Sequence, residues 1–329
     1  MIYIYLPNMI SKNIKTASMR IAFGETLFNL ALKNPNLYVV DIDLYPSLYL
    51  QKFKERFNSR FIQAGIAESN AAAVAAGLAA SGKTVFLTSF SCFSPALNWG
   101  VIRQSICYNR HKVKIIGSHS GLMSSDLGAT HQMLEDIALM RVLPNMQVFS
   151  PLDAYEVQKM LPVIANSPGP SYLRLVRPET PLISSPRQPF SIGRSHHLRS
   201  GNQVSILGHG PILTQLFLKD FDKYSLDIIN CSSLKPLDEK TIVASLQKTG
   251  RCLVIEDHQK IGALGEAVAG LIARNNLKVR FIQLGVNDSF GQSAHNYFDL
   301  YHAYALSPLS IIEALKILLK KNAQSKRNP

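Results

Sequence analysis

The stretch Phe61-Ile-Gln-Ala-Gly-Ile-Ala-Glu-Ser-Asn70, continued by Ala71-Ala-Ala-Val-Ala-Ala-Gly-Leu-Ala-Ala80, decides how the whole chain is read. An apolar, strand-like run ends, and an alanine-rich helix begins within a few residues. Glu68 stands at the junction, where a helix macrodipole and free N–H groups stabilise a carboxylate. The helix is almost all small residues, so other backbone can approach it closely. The next apolar run, Thr84-Val-Phe-Leu87, completes a strand–helix–strand unit.

The same alternation runs outward in both directions. Strands are expected near residues 37–40, 85–87, 113–116, 147–149 and 171–175. Helices are expected near 22–33, 69–80, 95–108, 133–140 and 154–165. A second set follows, with strands near 204–207, 226–230, 252–255 and 279–283 and helices near 212–222, 239–247, 264–273 and 308–319. Alternation of this kind predicts α/β architecture with mostly parallel sheets. Between the sets, Arg177-Pro-Glu-Thr-Pro-Leu-Ile-Ser-Ser-Pro-Arg-Gln-Pro189 is rich in proline and has no period, so it reads as a linker. The length of 329 residues agrees with two domains, since single cores rarely grow beyond about 250–300 residues. The expected fold is therefore two α/β domains, each a mostly parallel sheet flanked by helices.

Hydrophobic residues are 47% and charged residues 17% of the chain, enough apolar matter for a sizeable core. Cys92, Cys107, Cys231 and Cys252 are scattered with no C-x-x-C pair, which argues against a disulfide framework or zinc site and for a reducing, cytoplasmic setting. The start, Met1-Ile-Tyr-Ile-Tyr-Leu-Pro7, is broken by proline, lacks a basic beginning and is too short to span a bilayer. Neither export nor a membrane segment is expected. Lys plus Arg number 35 against 22 Asp plus Glu, a net charge of +13. No basic-aromatic stretch accompanies that charge, and its densest cluster is the tail from Lys320 to Arg327, which reads as a solvated end. Nucleic-acid binding is not expected; phosphorylated metabolites suit the charge.

Several polar stretches begin where a strand ends, the place where open parallel sheets bind ligands. Gly117-Ser-His-Ser-Gly-Leu-Met-Ser-Ser-Asp-Leu-Gly-Ala-Thr-His-Gln132 carries His119 and His131. Twelve residues apart in a Gly/Ser-rich loop, the two histidines lack metal-ligand spacing, so no metal site is expected in this chain. Arg177 follows another strand, and Arg20 precedes the first helix. For each of these residues a structural role, a satisfied histidine or a linker ion pair, stands as the alternative. After the strand at 84–87 come Thr-Ser-Phe-Ser-Cys-Phe93, which offer the flat faces of Phe90 and Phe93. One acid beside paired aromatics is how thiamine diphosphate enzymes hold the aminopyrimidine ring. The residues alone leave open a capping Glu68 and two core phenylalanines.

Taken in order, these segments resemble the C-terminal half of transketolase. They are Arg20-Ile-Ala-Phe-Gly-Glu25, Asp41-Ile-Asp-Leu-Tyr-Pro-Ser47, Gly65-Ile-Ala-Glu-Ser-Asn70, Thr88-Ser-Phe-Ser-Cys-Phe93, Gly117-Ser-His-Ser-Gly121, Gly128-Ala-Thr-His-Gln132, Arg177-Pro-Glu179, Lys235-Pro-Leu-Asp238 and Glu256-Asp-His258. The resemblance implies a pyrimidine-binding domain over residues 18–178, a linker over 179–200 and a transketolase C-terminal domain over 201–322. The resemblance is to this half as found in the second chain of split, two-subunit transketolases. By position it implies that Glu68 activates the cofactor, that Phe90 and Phe93 hold the aminopyrimidine, and that Asp43 lies near the cofactor across the subunit interface. Arg20, Ser47, His119 and Arg177 would bind the sugar phosphate, and His131 would steer or relay protons at the reacting carbon. Forked arginine donors suit a phosphate dianion.

Two departures qualify this. Where transketolases commonly have Glu-Asp-Gly-Pro, this chain has Asp126-Leu-Gly-Ala129, so Leu127 replaces an aspartate that recognises a sugar hydroxyl. Nor does the chain contain a Gly-Asp-Gly, the start of the family's site for Mg2+ and diphosphate. The resemblance therefore implies an N-terminal partner subunit that holds Mg2+ and the diphosphate, with the cofactor shared in a heterotetramer. The expected activity is transfer of a two-carbon ketol unit from a ketose phosphate to an aldose. The β-type subunit of a 2-oxo acid dehydrogenase, a specialised transketolase and a non-catalytic assembly subunit are the alternatives.

Overall fold

A computed structural model describes residues 14–320. The apolar start at residues 1–7 and the basic tail beyond Lys320 lie outside the described residues. The first sheet has seven strands. Their order is Ser233–Lys235, Gln147–Phe149, Ser171–Arg174, Val113–Ser118, Thr84–Phe90, Leu37–Asp41 and Phe61–Gln63. All but Ser233–Lys235 run parallel. Every residue of Thr84–Phe90 and Val113–Ser118 is buried, as a parallel strand covered by helices on both faces must be.

The helices start where the sequence offers caps. Ser18 Oγ accepts from the Ile21 amide (3.3 Å) at the head of Met19–Lys33, and Asp153 Oδ1 accepts from the Glu156 amide (3.0 Å) at the head of Ala154–Asn166. Each such cap is worth about 1 kcal/mol. Glycine at 24 brings the first helix onto the turn at Leu48–Tyr49: a Cβ there would lie 2.5 Å from the Tyr49 carbonyl oxygen. That close approach sets Arg20 beside Ser47. In Glu68–Ala80 the buried face is Ala71, Ala72, Ala75 and Ala76, and the small side chains let the helix lie tight against Thr84–Phe90.

The second sheet orders Arg280–Val286, Arg251–Gln259, Val204–Gly208, Leu226–Asn230 and His196–Arg199, the last antiparallel. Glu239–Thr249, Leu264–Arg274 and Pro308–Leu319 are its main helices. Both domains are thus α/β with mostly parallel sheets, as expected.

Several element boundaries differ from the sequence reading, each for a local reason. The helix expected from residue 133 begins at Asp136, because Met133 bridges in parallel to Ser120 and gives its carbonyl to the Gly121 amide (2.9 Å). The helix expected over 95–108 is a short turn, Trp99–Val101, widening into π-helix over Ile102–Cys107; the residues before it form a turn that Asn98 ties to Ser94 (3.1 Å). The helix expected over 212–222 is two 3-10 segments, Pro211–Phe217 and Lys219–Phe221. The stretch expected to be unstructured linker carries two short strands. Glu179–Pro181 pairs with Thr16–Ser18, and His196–Arg199 edges the second sheet. Tyr297–Leu319 is long and apolar enough to cross a membrane by length and composition. Here it is two helices, Tyr297–Ala303 and Pro308–Leu319, whose Leu300, Tyr301, Ile311, Leu315 and Leu318 are buried in the core.

Candidate active site

Five parallel strands of the first sheet end on one side, and each delivers a candidate residue there. Asp43 follows Leu37–Asp41, Glu68 follows Phe61–Gln63, Phe90 closes Thr84–Phe90, His119 follows Val113–Ser118 and Arg177 follows Ser171–Arg174. The structure gathers most of these residues into two adjoining clusters.

The first cluster is aromatic. The Phe90 and Phe93 rings lie 6.0 Å apart and 14° from parallel. Two stacking contacts need about 7 Å, so no third ring enters between them. His119 stacks on Phe90 with centroids 3.8 Å apart, and His131 stands edge-on to both phenylalanines at 6.5 and 5.5 Å. Thr130 Oγ1 meets His131 Nδ1 at 2.9 Å, which leaves the other ring nitrogen for a ligand.

Glu68 is the first residue of its helix, half exposed, and no side chain caps that helix. Glu68 thus stands in the first turn, where the macrodipole favours its charge, without making a hydrogen-bonded cap. Among the described residues the Glu68 carboxylate has no hydrogen-bond or ion-pair partner, while its backbone carbonyl accepts from Asn98 Nδ2 (3.1 Å). In the same turn Asn98 Oδ1 and Ser91 Oγ are buried without partners. Burial, with the charge of Glu68 adding to it, pushes the Cys92 thiol up to about 11, so Cys92 is a neutral neighbour and not a nucleophile. An unpaired acid, spare acceptors and a flat apolar pair fit an aminopyrimidine ring.

The second cluster is cationic. Arg20 Nε donates to the Arg177 carbonyl (3.1 Å) and Nη1 to the Ser47 carbonyl (2.8 Å), and its guanidinium lies 5.6 Å from the centre of the Tyr49 ring. Ser47 thus enters through its backbone. Arg177 Nη1 pairs with Asp126. His119 joins the two clusters. It is buried, with φ +58°. Burial first, then the charges of Arg20, Arg177 and His131, push its imidazole down to about 3. His119 is neutral at working pH. Its Nδ1 lies 3.0 Å from Ser118 Oγ, and Nε2 carries the ring proton and can donate when Nδ1 accepts the hydrogen bond from that hydroxyl. Asp43 stands apart: it is exposed, at φ +58°, with its carboxylate on Gln63 Nε2 (2.9 Å) and its amide on Gln63 Oε1 (3.1 Å).

Sequence reasoning missed the buried polar network that holds this loop from behind. Arg174 Nε pairs with Asp136 Oδ2 at 2.9 Å, and the Tyr172 hydroxyl donates to the same oxygen at 2.7 Å. Arg174 Nη2 also donates to the carbonyl of Asp257 in the second domain (2.9 Å). Asp257 Oδ1 accepts from the Leu122 amide (2.9 Å) and Oδ2 from the Tyr301 hydroxyl (3.2 Å). The second domain grips the same loop through its backbone, Gln259 N to Leu134 O and Ala294 N to Ser125 O, both 2.9 Å. The Glu256-Asp-His258 segment hinted at this network; nothing in the sequence near Asn98 did.

Comparison with known proteins follows the same division. Residues 15–182 match the family described as transketolase, pyrimidine binding domain, and residues 193–311 match transketolase, C-terminal domain. A protein described as a transketolase C-terminal section from Methanocaldococcus jannaschii is 38% identical over 310 residues, covering 92% of this chain and 96% of that one. A 6-deoxy-6-sulfo-D-fructose transketolase subunit from a Clostridium species is 32% identical, over 83% of this chain and 86% of that one. A solved structure described as a split gene transketolase, inactive beta4 tetramer, superposes with a TM-score of 0.83 at 35% identity. It covers 93% of this chain and 99% of that one.

Proposed function

Because the chain belongs to the transketolase family, with that family's pyrimidine-binding and C-terminal domains, we propose that it is the C-terminal subunit of a split transketolase. It transfers a two-carbon ketol unit from a ketose phosphate to an aldose. The observation that carries this reading is the junction at His119, where the aromatic pair beside Glu68 meets two arginines.

Thiamine diphosphate, when bound, supplies a nucleophilic carbon and takes up the electron pair left when the C–C bond of a ketose breaks. Glu68 would hold a proton on its pyrimidine ring nitrogen, and Phe90 and Phe93 would carry the ring, with Asp43 nearby. His131 would move a proton at the reacting carbon through its free ring nitrogen. Arg20, held in place by the Ser47 carbonyl, Arg177 and the neutral His119 would anchor the phosphate, with the forked guanidinium of Arg177 as the main charge contact. Mg2+ and the diphosphate fall to an N-terminal partner subunit, since the chain contains no Gly-Asp-Gly, and a heterotetramer is the simplest shared assembly. Four free cysteines suit a reducing cytoplasm. A specialised ketose is the second reading, favoured by Leu127, which cannot accept a hydrogen bond from a sugar hydroxyl.

Two measurements test the proposal. Calorimetric titration with thiamine diphosphate and Mg2+ should give tight binding only when the partner subunit is present; micromolar binding by the isolated chain would refute the shared site. Arg177→Ala should raise KM for a ketose phosphate about ten- to a hundredfold, the value of a charge-assisted contact, and leave an uncharged ketose unaffected. Equal losses on both would make Arg177 a structural residue.

A further inference from the structure

Arg177 is not free to receive an anion, because Asp126 already holds it. The position of that acid is built by the fold. Asp126 sits in the 3-10 turn Ser125–Leu127, where the Leu127 amide donates to the Ser124 carbonyl (3.1 Å). The second domain pins the turn from outside: the Ala294 amide donates to the Ser125 carbonyl (2.9 Å), and Gln132 Nε2 ties to the Gln292 carbonyl (3.0 Å). Gly128, next to the turn, has φ +74°, and a Cβ there would meet Ser293 Oγ at 2.6 Å. Ser124 Oγ donates to the His119 carbonyl (2.7 Å), so the acid and the imidazole share one scaffold.

The charges follow. Arg20 and Arg177 contribute two positive charges, neutral His119 none, and Asp126 one negative, leaving one net positive charge in a pocket read as binding an anionic tail. We propose that Asp126 is a specificity-determining residue, which competes with the substrate's anionic tail for Arg177 and so penalises a doubly charged tail more than a singly charged one. This rests on the proposed reading of the arginines as the tail pocket and sharpens it. The repulsion from Asp126 scales linearly with the charge on the tail. The factor by which Asp126 weakens a dianion should therefore be roughly the square of its factor for a monoanion.

The test is Asp126→Asn, at an exposed position where the substitution keeps size and shape. The full chain is titrated at about pH 8, where phosphate is mostly the dianion, with inorganic phosphate and with methanesulfonate, following imidazole signals by NMR. An exposed ion pair of this kind is worth a few-fold in a competing equilibrium. The expected result is about two- to threefold tighter methanesulfonate and about four- to ninefold tighter phosphate in the variant. In the complex with the partner subunit, KM for a phosphate-tailed ketose should fall by a similar factor and KM for an uncharged ketose should not change. Equal factors for the two anions, or no change for either, would overturn the role of Asp126. Arg177→Ala is the control. If it leaves phosphate binding of the full chain intact, the tail pocket is misplaced and both readings fail; if phosphate binding is lost while Asp126→Asn does nothing, only the role of Asp126 fails.

Discussion

Replacing Glu68 by Gln is expected to reduce turnover of the assembled enzyme by about 10²- to 10⁴-fold, the range for removal of an essential acid–base group, with little change in fold. The structure separates the two effects. The Glu68 carboxylate has no partner among the described residues, and its helix is not capped by any side chain, so the substitution removes no observed contact. What it removes is the only acid at the head of the Glu68–Ala80 helix, beside the Phe90–Phe93 surface. The measurement is exchange of the thiazolium C2 proton by NMR in the complex with the partner subunit, alongside circular dichroism of the chain. Exchange within a few-fold of the unsubstituted protein would show that Glu68 takes no part in activation.

Asp136→Ala is expected to have the largest effect on stability, roughly 3–5 kcal/mol, as when one partner of a buried ion pair is removed. Arg174 and Asp136 are both essentially buried. Without Asp136 the Arg174 guanidinium keeps its carbonyl contacts to Met133 and Asp257 and the charge of the Asp257 carboxylate, but loses its hydrogen-bonded partner acid, and the Tyr172 hydroxyl loses its acceptor. The double substitution Asp136→Leu, Arg174→Met should recover part of the loss, because it removes the orphaned guanidinium along with its partner acid while Asp257 loses the charge of Arg174. Urea midpoints of the unsubstituted protein and the two variants decide the matter. A single-variant loss below about 1 kcal/mol would mean that water reaches Arg174.

The architecture was legible because parallel sheets buried on both faces demand runs such as Val85-Phe86-Leu87 and Val113–Ile116, and little else produces them. The candidate residues were legible by place: Glu68, Phe90, His119 and Arg177 each stand where an apolar run stops. What the sequence concealed depends on partners distant along the chain. Asp257 meets Leu122 across 135 residues and Gln132 meets Gln292 across 160, and no local pattern marks such pairs. The start of the helix at Asp136 escaped for the same reason, since Met133 was engaged by Ser120 rather than by its own helix. Ser47 was read by its hydroxyl, but the structure uses its carbonyl, which every residue type possesses.

The strand Ser233–Lys235 lies beyond the linker, yet it completes the edge of the first sheet against Gln147–Phe149. With Asp257 and Ala294 holding the loop between His119 and His131, and Gln259 holding Leu134 just beyond it, the polypeptide crosses the boundary between its domains more than once. A cut in the proline-rich stretch would therefore not yield two self-sufficient halves. The first fragment would expose an unpaired strand edge, prone to association, together with the loop between His119 and His131 lacking its outer supports. Two such fragments would have to be produced together and find each other to rebuild what the intact chain assembles unaided.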